Sequence, residues 1–386
     1  MMAGKTQKTD FFSYKSGQLA KGCELCVQGR KSVLFITGIC QNGCYYCPIS
    51  DAKKNKDVIY INEVPVEQDN LANTEEMIEK IAQEIRLCSS MGIGITGGDP
   101  LARIGRTTDV ICGLKKRFGQ EFHIHLYTPL VLVDEKKLSV LSSAGLDEIR
   151  FHPDVAEKKL WPRLKLAKKH SWDIGIEIPA IPGKEKETKE LIDYAGPHIK
   201  FLNLNELELA DNSFSKLSEM GFKPKDSQSY AAAGSMELAM ELLIYCENKD
   251  LNIHLCTAKL KDAVQMAKRI RLRARNVALP TDRITADGML VRGAAYLSWL
   301  VPGKGYRQRI KDEKTREKAL AELDAMAEKL KARISGIVVD EDKLRLLTSK
   351  KTAEAMKNRI KDAGGVPAIV EEYPTYDGFE VEIDFI

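Results

Sequence analysis

Seven short runs of strand-like pattern recur along this chain, at residues 33–37, 92–96, 122–127, 148–152, 173–178, 201–207 and 251–256, each separated from the next by a stretch of helical period. Strands that alternate with helices require βαβ units and a parallel sheet. The stretch after residue 73 shows the helical logic. Asn73 can cap, Glu76 completes a capping box, and Met77, Ile78, Ile81 and Ile85 return to one face. No internal repeat and no low-complexity segment interrupts the series.

Side chains in a strand change face at every residue. One face of these runs carries His123, His125, Glu148, Arg150, His152, Glu177, Asn203, Asn205, Asn252, His254 and Cys256. The opposite face carries Ile124, Leu126, Ile149, Phe151, Ile176, Leu204 and Ile253. Helices cover the outside of a parallel sheet, so the aliphatic face must point outward and the polar face inward. A barrel with a packed interior fills it with branched aliphatic residues instead. The pattern therefore predicts an α/β barrel or partial barrel with a polar lumen that serves as a ligand cavity. Glu148 and Asn252 are expected at exposed strand ends.

Directly after the first run stand Cys40, Cys44 and Cys47, spaced C-x3-C-x2-C and followed by Pro48. Three thiolates on one loop can each take one iron of a four-iron cluster and leave the fourth iron open to a ligand. Zinc loops pair cysteines as C-x2-C and close with a second pair or with histidines, so this spacing suits tetrahedral zinc poorly. The second run ends in Gly97-Gly98-Asp99-Pro100. There the glycines allow close approach of a ligand to the backbone, and Asp99 could accept hydrogen bonds from an ammonium group.

Both motifs resemble those of the radical S-adenosylmethionine superfamily, in which an aromatic residue such as Tyr46 precedes the last cysteine. The resemblance spans roughly residues 23–260 and implies a six-stranded partial (β/α) barrel. It also implies a 4Fe-4S cluster on Cys40, Cys44 and Cys47, and S-adenosylmethionine held at its amino group by Gly97, Gly98 and Asp99. The family more often has Glu where Asp99 stands. Polar residues on the fourth and fifth strands contact the cofactor in that family, which nominates Arg150, His152 and Glu177. Asn203, Asn205, Glu206 and His254 are left to face the substrate, with Asn205, Glu206 and His254 the catalytic candidates. Residues 181–183, Ile-Pro-Gly, look like the corresponding stretch of pyruvate formate-lyase activating enzymes. The implied chemistry is one-electron cleavage of S-adenosylmethionine to a 5'-deoxyadenosyl radical, with the electron coming from a small donor such as ferredoxin or flavodoxin.

Four further cysteines raise the question of a second metal. Cys23 and Cys26 form a C-x2-C pair, and Cys256 ends the seventh run on its polar face, so these three are candidate ligands for zinc or an auxiliary iron-sulfur cluster. Cys246, Cys88 and Cys112 read as helix core. Nine cysteines without secretory features point to a reducing compartment, and hence to the cytoplasm. The first 18 residues have no apolar signal core, and no apolar run is long enough to span a bilayer. A net charge of +4 is too mild to imply nucleic acid or membrane binding.

Domain boundaries are expected at 1–32 for an N-terminal cysteine-containing segment, 33–275 for the barrel and 276–386 for a small α+β domain. The last contains a hairpin around Ala286-Asp287-Gly288, a helix with Leu320, Leu323, Ala327, Leu330 and Ile334 on one stripe, and strands near Val338 and Leu344. A further helix is expected over 352–362 and a strand over 379–385. The basic run Lys268, Arg269, Arg271, Arg273 and Arg275 could grip phosphate. Two other readings therefore stand beside a radical enzyme acting on a protein, RNA or small molecule. One is an RNA-modifying version that uses this basic run, and the other is a non-enzymatic iron-sulfur or zinc redox module.

Overall fold

The computed structural model describes residues 5–66, 74–331 and 336–386. The chain divides into two compact units, Met1–Arg269 and Ile270–Ile386.

All seven sequence runs form strands of the first unit: β1 (Lys31–Phe35), β2 (Gly92–Thr96), β3 (His123–Thr128), β4 (Glu148–Phe151), β5 (Asp173–Ala180), β6 (Phe201–Glu206) and β7 (Asn252–Cys256). They pair in parallel and in sequence order. The edges are covered by antiparallel strands. Tyr14–Ser16 pairs with β7, and Ile59–Ile61 pairs with β1. The sheet order therefore runs from one hairpin to the other, giving an open partial barrel with one parallel strand more than the six implied by resemblance.

Helices fill the crossovers as the periodicity demands: α1 (Lys21–Val27) before β1, then α2 (Thr74–Leu87), α3 (Ile104–Phe118), α4 (Glu135–Ala144), α5 (Glu185–Ala195) and α6 (Ser235–Tyr245). Local chemistry sets their ends. Asp134 caps α4 by accepting from Lys137 N at 2.8 Å, and Gly145 ends it at φ 96°. The Asn73 cap of α2 lies outside the described residues. Ile93, Ile95, Leu126, Ile149, Ile176 and Leu204 point outward and are fully buried against the helices, in one core with Ile81, Ile85, Ile111 and Leu114. Each such side chain contributes about 1.5–3 kcal/mol of burial.

Three expectations need correction or qualification. Glu148 is not at an exposed end but completely buried, because α1 closes over the start of β4 and Gly22 N donates to its carboxylate at 3.2 Å. Asn252 is half-buried and tied to Gln18 N and Lys200 O. Cys88 and Cys246 are core, but Cys112 is exposed, since Val110, Ile111 and Leu114 take the buried face of α3.

The second unit is an antiparallel sheet with helices. Its strands are β8 (Leu290–Leu297), β9 (Val338–Asp340), β10 (Arg345–Thr348), β11 (Gly365–Glu372) and β12 (Glu380–Phe385), in the order β9-β10-β8-β11-β12. Arg283–Ile284 pairs antiparallel with β8, so the hairpin around Gly288 forms. The amphipathic helix is Glu313–Lys331, with Leu323, Ala327 and Leu330 buried; Ile334 lies outside the described residues. The expected helix over 352–362 is two short ones, Lys350–Ala355 and Lys357–Asp362. Sequence reasoning missed β11, whose Pro367 argues against a strand pairing on both sides. Pro367 nevertheless stands opposite Ala295 within the ladder.

Candidate active site

Parallel strands put all their C-terminal ends on one edge of the sheet, where α/β folds place ligands. The loop after β1 carries the three thiols to that edge. The turn after β2 brings Gly97 and Gly98, His152 directly follows β4, and β6 and β7 carry Asn205 and Cys256 at their C-terminal ends. All of these line one cavity of about 460 Å³, which also takes in Arg150, Glu177, Asn203 and His254 along the lumen.

Hydrogen-bond donors surround the sulfurs of the thiol loop. Asn42 N lies 3.3 Å from Cys40 Sγ, Asn42 Nδ2 3.2 Å from Cys44 Sγ, and Lys54 Nζ 3.0 Å from Cys47 Sγ. Burial pushes the Cys44 thiol up to about 11 and raises that of Cys40. Without a counter-charge they would stay protonated. Donors aimed at sulfur are what a cluster's thiolates need, and such bonds tune its potential. Among the described residues no three His, Cys, Asp or Glu side chains enclose a single metal ion. A four-iron cluster makes no such demand, because its ligands are spread one per iron. The loop fits that group, whereas Cys23, Cys26 and Cys256 do not form a mononuclear site.

The loop is held in place by its aromatic residue. His152 Nδ1 donates to the Glu177 carbonyl at 2.8 Å, so its Nε2 is the acceptor for the Tyr46 hydroxyl at 2.9 Å. Burial keeps His152 neutral by lowering its pKa. Asn212 adds a second tether through the carbonyls of Cys47 and Ile49.

The Gly-Gly turn packs directly on the thiol loop. Gly98 N donates to Thr37 O at 2.7 Å and Asp99 N to Ile39 O at 2.8 Å. Gly97 sits at φ 143°, and a Cβ there would lie 2.3 Å from Thr37 O, so no other residue fits without moving the loop. Asp99 itself is fully buried and does not line the cavity. Its Oδ1 accepts from Leu101 N at 3.0 Å and from the Thr128 hydroxyl at 2.8 Å. Burial pushes its carboxyl up to about 6.

Arg150 is the hub of the lumen. It donates to Glu148 at 2.5 Å, to Glu177 at 2.7 Å, to the Tyr127 hydroxyl at 3.1 Å and to Cys23 Sγ at 3.5 Å. Its fork is thus engaged by the protein. Burial opposes ionisation of Glu148 and Glu177, but the guanidinium, together with His123 and Lys31 at Glu148 and with Asn203 and Asn205 at Glu177, outweighs it and holds both carboxylates below their usual range. Glu177 also accepts from Asn203 Nδ2 at 2.9 Å and Asn205 Nδ2 at 3.1 Å. The lower end is closed by α1. A Cβ on Gly22 would meet Arg150 Nη2 and His125 Nδ1, each at 2.4 Å. Lys31, pushed down to about 7 by burial, lies 2.6 Å from His123 Nδ1.

Of the substrate-facing candidates, Asn203, Asn205 and His254 come together on the lumen wall, while Glu206 does not join them. Its carboxylate is buried and bonded to Lys225 Nζ and Ala258 N, both at 2.8 Å. His254 Nε2 meets the Ser13 hydroxyl at 2.8 Å, and burial lowers its pKa to about 4. Sequence reasoning missed Ser13, Lys31, Lys54, Tyr127 and Asn212. Only Lys54, in a basic run seven residues past Cys47, left a local signal.

In the basic run, Arg269 donates to Lys31 O within the first unit, and Arg273 is buried and bonded to Pro374 O within the second. Of the five, only Arg273 is buried and so closed to a phosphate; Lys268, Arg271 and Arg275 are exposed. No helix among the described residues is long and apolar enough to cross a membrane.

A family model described as the radical SAM superfamily matches residues 34–195. A Methanocaldococcus jannaschii protein, provisionally named as a glycyl-radical enzyme activating enzyme, is 47% identical over 285 residues, covering 72% of this chain and 73% of its own. Among solved structures, Streptococcus suis SuiB bound to S-adenosylmethionine matches with a TM-score of 0.42 at 11% identity, over 59% of this chain and half of SuiB. Methylornithine synthase matches with a TM-score of 0.40 at 13% identity, over 62% of this chain and 79% of that one. Escherichia coli coproporphyrinogen III oxidase matches with a TM-score of 0.33 at 10% identity, over 90% and 94%.

Proposed function

The chain belongs to the radical SAM superfamily, and from that premise we propose that it is an activating enzyme whose substrate is a protein on which it installs a radical. When bound, a 4Fe-4S cluster on Cys40, Cys44 and Cys47 would supply the one-electron reduction that breaks a carbon–sulfur bond of S-adenosylmethionine, releasing methionine and giving the 5'-deoxyadenosyl radical needed to take a hydrogen atom from the substrate. The chain's own residues hold, orient and exclude water. Cys40, Cys44 and Cys47 carry the cluster, and Asn42 and Lys54 stabilise the charge on its thiolates. Tyr46, His152, Gly97 and Gly98 border the cofactor's share of the cavity. Asp99 supports that share by fixing the turn through Leu101 and Thr128. Glu177, Asn203, Asn205 and His254 form the wall for the substrate, and Glu206 holds β6 to the segment at Ala258.

The observation that carries this reading is the three-thiol loop opening onto a polar lumen in a chain 47% identical to the named relative. A soluble one-electron donor of the ferredoxin or flavodoxin type, in the cytoplasm, completes the system. The test is anaerobic. The chain is reconstituted with iron and sulfide, given S-adenosylmethionine and dithionite, and assayed for 5'-deoxyadenosine beside Cys44→Ala. Product should form in the wild type and fall at least ~100-fold in the variant, because losing a cluster thiolate removes the electron source. Adding a glycyl-radical protein should transfer spin to it, seen as a carbon-centred radical signal. Turnover with no spin on any such protein, but with conversion of a small molecule, would sink the activating-enzyme reading.

A further inference from the structure

The cations of the lumen are committed to the protein. Arg150 is bonded to Glu148 and Glu177, Lys54 to Cys47, Lys31 to His123, and Lys261 to Glu208 at 2.5 Å. The acceptors are not. Asn203 Oδ1, Asn205 Oδ1 and His254 Nδ1 are buried and have no hydrogen-bond partner. Asn203 and His254 are each only 2% exposed.

The orientation of all three is dictated by neighbours. An ionised carboxylate accepts only. Glu177 therefore forces both asparagine Nδ2 groups toward itself and turns both Oδ1 atoms away. Ser13 settles the histidine. Its hydroxyl proton goes to the Leu255 carbonyl at 2.5 Å, so its oxygen must accept from His254 Nε2–H, leaving Nδ1 as a bare lone pair. Asn203 and His254 are paired in register on β6 and β7, and Asn205 lies two residues along on the same face. The three thus form one patch of acceptors on a wall where two carboxylates share one guanidinium. Buried acceptors are costly until a donor arrives.

We infer that Asn203, Asn205 and His254 form a subsite for a protonated primary amine, a group with three N–H donors and no acceptor. This deepens the proposed function, resting on its assignment of the lumen to the substrate. It makes the recognised part of the substrate amine-bearing. Tyr127 beside Arg150 keeps one hydroxyl proton of its own, which suits an amine-bearing chain that also carries a carbonyl.

The experiment reads binding, not turnover. The full chain, with its imidazoles labelled with nitrogen-15, is titrated at constant ionic strength with propylammonium, tetramethylammonium or propanol while the His254 Nδ1 resonance is followed. Propylammonium should give a saturable shift, tetramethylammonium and propanol none. Asn203→Leu and Asn205→Leu should each weaken propylammonium at least tenfold, with the Ser13 contact of His254 Nε2 still visible as a check on folding. A shift of the same size with tetramethylammonium, or no saturable shift with propylammonium, overturns the proposal. S-adenosylmethionine is the second arm. If it fills the subsite through its own α-ammonium it should block propylammonium, and the substrate assignment falls while the amine chemistry stands. None of these outcomes depends on spin transfer to a protein, so a failed activating-enzyme reading is recognised separately.

Discussion

Each unit of this chain buries an arginine between two carboxylates and a tyrosine hydroxyl, yet the two arrangements spend those carboxylates differently. In the first unit Arg150 joins Glu148, Glu177 and Tyr127. In the second, Arg345 joins Asp340 at 2.7 Å, Glu372 at 2.6 Å and Tyr296 at 3.2 Å. The difference lies in what the carboxylates do next. Glu372 is met by a second guanidinium, Arg292, at 2.6 Å, so charge closes on charge between sheet strands. Glu177 instead spends its remaining lone pairs on two asparagines, which hand the lumen two unsatisfied oxygens. A buried ion network is by itself weak evidence of function. Leftover valence beside a cavity is stronger evidence.

The largest effects should come from breaking the hubs. Arg150→Met leaves Glu148 and Glu177 without their shared guanidinium and should cost about 3–5 kcal/mol, whereas Arg345→Met leaves Glu372 still paired with Arg292 and should cost less. Trp161 and Trp172 report on the first unit and Trp299 on the second, so denaturant unfolding followed with single-tryptophan variants assigns each loss to its own unit. A small cost for Arg150→Met alone would mean that the lumen network is hydrated and not buried.

Next in size is the contrast between the two faces of one strand. Leu204→Ala, on the outward face of β6, should cost about 2–5 kcal/mol through the cavity it leaves. Asn205→Leu, on the inward face, should change stability by no more than about 1 kcal/mol, since it deletes an unpaired oxygen along with one bond to Glu177. Equal costs would erase the distinction between the faces.

The last contrast is a pH slope. His254 has a folded pKa of about 4 against 6.5 when free, so between those values the unfolded chain binds more protons, and stability should fall as pH drops from 6.5 to 4. Asp99, raised from 3.8 to about 6, acts in the opposite direction. The comparison that isolates His254 is therefore wild type minus His254→Gln across that window. A difference that does not vary with pH would mean that the ring is solvated in the folded protein.

Much of the first unit was legible because its signals are local. The cysteine spacing is read within eight residues, and strand parity separated Ile176 and Leu204 from Glu177 and Asn203 before any fold was known. The second unit was less legible. Pro367 disguised a strand one of whose two pairing partners, β8, lies far away in sequence, and Cys112 was assigned to a core that Val110 and Ile111 already fill.

By itself the sequence determined the parallel sheet, its polar inside and the three-thiol loop, because periodicity and short motifs depend only on neighbours along the chain. Tertiary structure alone decided that Arg150 is spent on Glu148 and Glu177, that Asp99 braces a turn instead of facing the cavity, and that Ser13 fixes the tautomer of a histidine 241 residues away. Which hydrogen-bonding valences are left over is a property of partners in space, and no reading along the chain can count it.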